Sequence, residues 1–203
     1  GSCTGILIAP RLVATAAHCM QGEGGRQAKV ISFRAGARGD GEQGTASVVS
    51  AEVAPDYSDE SAAPGGGNGD DWAILTLDRD LGRDVGFVRP YVLGKDDITA
   101  IRNGEFRISQ AGYSWDTGRY LSGHMNCLIL NAYRDGSMIH TCDTTRGDSG
   151  SPIMAQINGE WRLIAVDSQF FDPQPPYPQM SSSHLAVDTR AFSEELRRAG
   201  ALD

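Results

Sequence analysis

The chain has 203 residues, 40% hydrophobic and 22% charged, a composition that suits a packed core and argues against a disordered chain. A formal net charge of −8 argues against nucleic acid or an anionic membrane surface as a partner. No apolar run approaches the roughly 20 residues that span a bilayer, so we expect no membrane insertion, and the opening Gly-Ser-Cys does not resemble a signal peptide.

Most of the chain predicts β-strands, because short segments rich in Val, Ile and aromatic residues alternate with Gly, Asp, Asn and Pro. The 25 glycines favour many tight turns between such strands. In chain order the predicted strands are Cys3–Ala9, Val30–Ala35, Thr45–Ala54, Trp72–Leu77, Phe106–Tyr113, His124–Ala132, Ser137–Thr144, Ile153–Ile157, Trp161–Gln169 and His184–Val187.

One helix is predicted, over Asp188–Ala199 at the end of the chain. Phe192, Leu196 and Ala199 recur there at a spacing of 3–4 residues, and Gly200 follows them. Asp78–Gly104 has little periodicity and is a candidate link between two halves of the chain.

Three short segments carry the residue types of nucleophilic catalysis. They are Ala-Thr-Ala-Ala-His-Cys ending at Cys19, Asp-Trp-Ala-Ile-Leu beginning at Asp71, and Gly-Asp-Ser-Gly-Ser-Pro beginning at Gly147. A serine hydroxyl is a poor nucleophile at neutral pH, so it needs a base, and the base needs a partner that fixes its tautomer. The glycines around Ser149 permit a tight turn, so the N–H groups of Gly147 and Ser149 are candidates for an oxyanion hole.

These motifs, in this order, resemble those of the chymotrypsin/trypsin-like serine proteases, in a bacterial-type version, and the likeness runs over nearly the whole chain. The resemblance implies that His18 acts as general base and then acid, that Asp71 orients it, and that Ser149 attacks the scissile carbonyl. Asp70 is the rival to Asp71, but only Asp71 has the Ala and Leu of the motif at the right spacing.

The resemblance also implies the fold: an all-β protein of two antiparallel, six-stranded-type β-barrels with a C-terminal α-helix. Residues 1–98 would form the N-terminal barrel, which carries the His and Asp, and residues 99–203 the C-terminal barrel, which carries the Ser. Fewer residues precede His18 than in most relatives, so the N-terminal strand is expected to be missing. In relatives activated by cleavage, a freed α-amino group pairs with the acid before the nucleophile, here Asp148. We therefore expect either a longer natural N-terminus that matters for activity or another partner for Asp148.

The four cysteines suggest two disulfides. The resemblance implies a bond between Cys3 and Cys19 beside the catalytic histidine. Cys127 and Cys142 lie in predicted strands separated by the turn signal Asp135-Gly136, so a hairpin would bring them together, and two free thiols are the alternative. Two pairs favour an oxidising compartment, so the protein is expected to be secreted or periplasmic. The cysteines and histidines lack zinc spacing, and neither a metal nor a cofactor is expected.

The residue on the N-terminal side of the scissile bond (P1) would enter the S1 pocket. Asp143 precedes Ser149 by six residues, where trypsin-like relatives place the acid that selects Arg or Lys. The second wall is expected in Ala165–Gln169 and includes Asp167 and Ser168. Glutamate-specific relatives tend to place a histidine near Asp167, and an acid repels a glutamate side chain. The expected preference is therefore for basic P1 residues.

The sequence thus predicts a serine endopeptidase that acts on polypeptides through an acyl-enzyme, with a protein inhibitor or pro-segment as a further candidate partner. The main alternative is an inactive trypsin-like fold that acts as a protein-binding module, although none of the three triad residues is replaced. An α/β-hydrolase esterase fits less well, because its Gly-x-Ser-x-Gly elbow would need glycine where this chain has Ser151.

Overall fold

The computed structural model describes residues 3–21, 32–58, 69–117, 120–170 and 183–203. All ten predicted strands are confirmed with small shifts of their ends, apart from residues 30 and 31, which lie outside the described residues. The strands are β1 (Ile6–Ala9), β2 (Leu12–Thr15), β3 (Ser32–Ala35), β4 (Gly44–Val53), β5 (Ala73–Leu77), β6 (Arg107–Gly112), β7 (Ser122–Ala132), β8 (Ser137–His140), β9 (Pro152–Ile157), β10 (Glu160–Phe170) and β11 (His184–Asp188).

The first five strands form one antiparallel sheet in the order β1-β2-β5-β4-β3. β2 was not among the predicted strands, and its burial explains why: three of its four residues are buried, so the alternation of a half-exposed strand is absent. The first barrel was expected to be of the six-stranded type with its N-terminal strand missing. Among the described residues it is a five-stranded half-barrel with β1 and β3 at its edges. Its core includes Val13, Ala73 and Leu77.

The last six strands close into a barrel in the order β10-β11-β8-β7-β6-β9, as expected for the second half. Every neighbouring pair is antiparallel. Its interior is apolar and includes Ile108, Met138, Ile153 and Ile164. The loop between β8 and β9 of this barrel carries Ser149.

Among the described residues, three short α-helices accompany the sheets: α1 (Leu81–Val85), α2 (Lys95–Arg102) and α3 (Ser193–Arg198). A 3-10 helix, Ala17–Met20, follows β2 and carries His18. α1 and α2 lie in the segment that sequence analysis treated as a link. The predicted boundary at residues 98 and 99 falls inside α2, whose Ile98 and Ile101 pack on the barrel core. That boundary stays a prediction, although every strand of the first sheet precedes it and every barrel strand follows it.

The terminal helix is shorter than predicted, because Asp188 ends β11 and its carboxylate binds the backbone and guanidinium of Arg190 instead of opening the helix. A third apolar cluster joins the two sheets to α3 and includes Ile8, Trp72, Leu163 and Phe192. No helix in the described ranges is long and apolar enough to cross a membrane.

Candidate active site

His18 and Asp71 lie side by side because β2, which leads to the histidine, pairs with β5, which follows the aspartate. The ring Nδ1 of His18 is 2.8 Å from Asp71 Oδ2, and the backbone N–H of His18 donates to Oδ1 at 2.9 Å. A carboxylate at Nδ1 favours the tautomer that carries its proton there, which leaves the Nε2 lone pair to act as a base. Asp71, rather than its rival Asp70, is therefore the aspartate that contacts His18.

Asp71 is fully buried, so its carboxylate needs hydrogen-bond donors to replace water. Besides the two from His18, the hydroxyl of Ser168 donates to Oδ2 at 2.5 Å. Ser168 was expected in the S1 wall, which stays a prediction, and its buried side chain contacts the carboxylate that binds His18. Motif spacing did not signal this contact, because the two residues are 97 positions apart.

The Ser149 loop lies against the segment that carries His18. The N–H of Thr4 donates to the Ser149 carbonyl at 2.9 Å, and Cys19 Sγ lies 3.7 Å from the same oxygen. Gly150, with φ of +78°, leaves no room for a side chain, since a Cβ there would lie 2.1 Å from Thr15 Oγ1. The loop therefore packs directly on β2 and the turn after it, which brings the predicted nucleophile to the histidine segment.

Gly147 also has a backbone conformation that favours glycine, with φ of +96°, and a Cβ there would lie 2.5 Å from the carbonyl oxygen of Tyr113. Its own carbonyl accepts a hydrogen bond from the Thr4 hydroxyl at 3.0 Å. The turn is thus held on both sides. That the N–H groups of Gly147 and Ser149 bind an oxyanion stays a prediction.

The two acids expected in S1 have different surroundings. Asp143 is exposed, and its backbone N–H donates to Nδ1 of His124 at 2.9 Å. Asp167 is buried, and its Oδ1 lies 3.0 Å from Nε2 of His140. Burial raises the pKa of Asp167, and the bond to His140 opposes that rise. Of this pair, Asp143 is therefore the acid that is exposed to solvent.

The buried imidazole of His140 has a defined tautomer. Its Nδ1 accepts the N–H of Cys142 at 3.2 Å, so its proton sits on Nε2 and is donated to Asp167. The ring of His184 lies 5.9 Å away, centroid to centroid, because the two histidines are register partners of β8 and β11. Both histidines are buried, and they are 44 residues apart in the chain, so strand pairing brings them together.

Two buried polar atoms in this region have no hydrogen-bond partner among the described residues: Nδ1 of His184 and Oγ1 of Thr144. Burial and the neighbouring His140 lower the pKa of His184 to about 4. Thr144 directly follows Asp143 in the chain, and the charge of Asp143 opposes the lowering of the His184 pKa.

Both disulfides are present, Cys3–Cys19 and Cys127–Cys142. In the described part of the chain, Cys3, His18 and Cys19 form the one group of His, Cys, Asp and Glu side chains close enough to hold a metal. The disulfide removes both thiolates from that group, and it does not fit a metal site.

Known proteins resemble this chain in sequence and fold. The curated relative CLIP domain-containing serine protease B9 of Anopheles gambiae is 28% identical over 208 residues, 82% of this chain and 49% of its own. The chain thus spans about half the length of that relative. A structure of Glu endopeptidase in complex with MPD matches with a TM-score of 0.71 and 21% identity, covering 99% of this chain and 86% of that one. The thermostable serine protease AL20, from an extremophilic microorganism, matches with a TM-score of 0.72 and 18% identity over 99% and 91%.

These likenesses to solved structures show a shared fold. The family model described as Trypsin matches residues 1–179, which include the histidine, aspartate and serine motifs. Because that match covers most of the sequence, the chain belongs to the trypsin family of serine proteases.

Proposed function

We propose that the chain is a serine endopeptidase whose triad is His18, Asp71 and Ser149. The observation that carries the proposal is the buried carboxylate of Asp71 on the His18 ring, 2.8 Å from Nδ1. The packing of the Ser149 loop against the histidine segment supports it further.

In the proposed reaction, Nε2 of His18 takes the proton of Ser149 as its oxygen attacks the scissile carbonyl. The N–H groups of Gly147 and Ser149 stabilise the tetrahedral oxyanion. His18 then gives the proton to the leaving amine, and water attacks the resulting acyl-enzyme with His18 again as the base. Asp71 stabilises the imidazolium that forms.

We further propose a preference for basic P1 residues, with Asp143 as the acid that selects them. Its exposure supports this role, and Asp167 is already bound by His140. The likeness to a Glu endopeptidase suggests the opposite preference. The exposed carboxylate of Asp143 argues against it, because it would repel a glutamate side chain.

The two disulfides support an oxidising compartment, and a secreted protease fits them best. The substrate would be a polypeptide. The negative net charge of the chain is compatible with basic cleavage sites.

Covalent labelling with a fluorophosphonate tests the proposal against the alternative of an inactive binding module. The wild-type protein should be labelled at Ser149 and should cleave a peptide library, whereas Ser149→Ala should do neither while unfolding at an unchanged temperature. The expected loss of turnover is on the order of 10⁶-fold. A folded wild-type protein that resists the label and cleaves no peptide would overturn the proposed function.

A further inference from the structure

Asp148, directly before the nucleophile, is buried, and in the described part of the chain neither of its hydrogen-bond partners carries a charge. The N–H of Thr145 donates to Oδ2 at 2.9 Å, and Nε2 of Gln110 donates to Oδ1 at 3.2 Å. Gln110 and Asp148 are each only 3% exposed. Burial raises the pKa of Asp148, and the hydrogen bonds from Thr145 and Gln110 oppose that rise.

Gln110 belongs to the barrel wall rather than to a loop. It lies in β6, where its register partners are His124 of β7 and Ile153 of β9. Because β6 is paired on both sides, the backbone position of Gln110 is fixed by the sheet. Its amide is therefore a rigid point from which the nucleophile loop can be held.

Gly112, in the same strand, makes room for this contact. A Cβ at Gly112 would lie 2.4 Å from Asp148 Oδ1, 2.0 Å from Ser151 Oγ and 3.0 Å from Gln110 Nε2. Three polar atoms thus crowd the space that any larger residue would fill. The Ser151 hydroxyl is fully buried and has no hydrogen-bond partner among the described residues.

The loop transmits the position of Asp148 to the groups around the nucleophile. The N–H of Asp148 donates to the Thr145 carbonyl at 3.1 Å, and the N–H of Ser151 donates to the Asp148 carbonyl at 2.7 Å. The two N–H groups of the proposed oxyanion hole belong to Gly147 and Ser149, the residues on either side of Asp148. A shift of this carboxyl group therefore shifts both.

We propose that Gln110 is a positioning residue of the protease, which orders the oxyanion-hole turn by holding the Asp148 carboxyl from the barrel wall. The inference rests on the proposed function.

Three variants test it: Gln110→Met, Gln110→Glu, and the exchange Gln110→Glu with Asp148→Asn. Gln110→Met keeps the size but removes the donor, so kcat should fall on the order of 10-fold to 100-fold with KM little changed. In the exchange, the amide introduced at position 148 donates to the carboxylate introduced at position 110, while the oxygen of that amide still accepts from Thr145. Activity should therefore be largely restored. Gln156→Met, on an exposed position of β9, is the matched control and should leave kcat unchanged.

The single variant Gln110→Glu adds a readout that a merely structural role would not produce. Two adjacent buried carboxyl groups hold together only while they share a proton. The ratio of its kcat to that of the wild-type protein should therefore fall as the pH rises. The exchange variant should show no such trend, because it restores one carboxylate and one amide.

Hydrogen exchange of residues 145–151 provides a measurement that does not depend on catalysis. Hydrogen exchange should be faster in Gln110→Met than in the wild-type protein. It should slow again in the double variant, Gln110→Glu with Asp148→Asn. Suppose that fluorophosphonate labels the wild-type protein and that Gln110→Met equals the wild-type protein in kcat and in hydrogen exchange. This result would refute the inference, and the proposed function would still stand. If the wild-type protein takes no label, the proposed function fails. The hydrogen-exchange rates alone then decide whether Gln110 orders the turn.

Discussion

Trp72 stacks on Phe192, with ring centroids 5.3 Å apart and planes inclined by 16°. Trp72 directly follows Asp71 of the proposed triad, and Phe192 directly precedes α3 at the end of the chain. Both rings are buried in the cluster that joins the first sheet to the barrel. The segment that holds Asp71 is therefore anchored to the half of the protein that carries Ser149.

Removing the Phe192 ring should destabilise the protein strongly. We expect Phe192→Ala to lower the free energy of unfolding by about 3–5 kcal/mol, because it leaves a cavity in a fully buried cluster. Urea unfolding at neutral pH measures this change. Phe87→Ala, at a ring that is partly exposed, is the control and should cost clearly less; equal costs would contradict the anchoring role.

Ser168 should matter for turnover rather than for substrate binding. Ser168→Ala removes one of the donors to the buried Asp71 carboxylate, and a hydrogen bond to a charged group contributes about 1.5–3 kcal/mol. We expect kcat to fall roughly 10-fold to 100-fold with KM little affected. Steady-state kinetics on a peptide substrate would show this, with the exposed Ser50→Ala as the control. A change confined to KM would instead support the predicted role of Ser168 in the S1 wall.

Asp143 should control the P1 preference. Asp143→Ser removes the exposed carboxylate, so cleavage after Arg and Lys should fall by roughly 10-fold or more relative to cleavage after apolar residues. Asp167→Asn tests the other acid, whose carboxylate is held by His140 and should influence the profile less directly. Profiling both variants with one peptide library decides the matter. A wild-type preference for Glu at P1 would contradict the proposed role of Asp143.

His184 should make the fold sensitive to acid. Its pKa of about 4 in the folded protein lies below the ordinary value of 6.5, so between these pH values the unfolded chain binds a proton that the folded chain does not. Stability should therefore be complete above pH 6.5 and decrease as the pH falls towards 4, by up to about 3 kcal/mol. Asp148 and Asp167, whose pKa values are raised, act in the opposite direction.

Urea unfolding at several pH values, for the wild-type protein and His184→Gln, isolates this contribution because the two acids are common to both proteins. The slope between pH 4 and 6.5 should flatten in the variant. His124→Gln, at an exposed histidine, should keep the wild-type slope. Parallel curves for wild-type and His184→Gln would rule out His184 as the origin of the pH dependence.

Strand prediction succeeded where the local pattern was strong and failed where packing dominated. β2 was not predicted because Val13, Ala14 and Thr15 are all buried, so apolar and polar residues do not alternate along the strand. α2 was not predicted because it has only eight residues and is stabilised by contacts outside the helix. Asp97 accepts hydrogen bonds from the Tyr91 hydroxyl and the Gly94 N–H, and Ile101 packs on the barrel. Elements that depend on such contacts leave little periodicity in the sequence.

The sequence by itself determined the family, the fold class and the three motif residues, because each motif is a run of adjacent residues whose chemistry is local. Only the tertiary structure decided that the Ser168 hydroxyl binds Asp71, that Asp167 is bound by His140, and that Gln110 holds Asp148. These pairs are separated by 97, 27 and 38 positions. Strand register and closure of the barrel bring them together, and a buried polar group must then find its partner wherever the fold provides one.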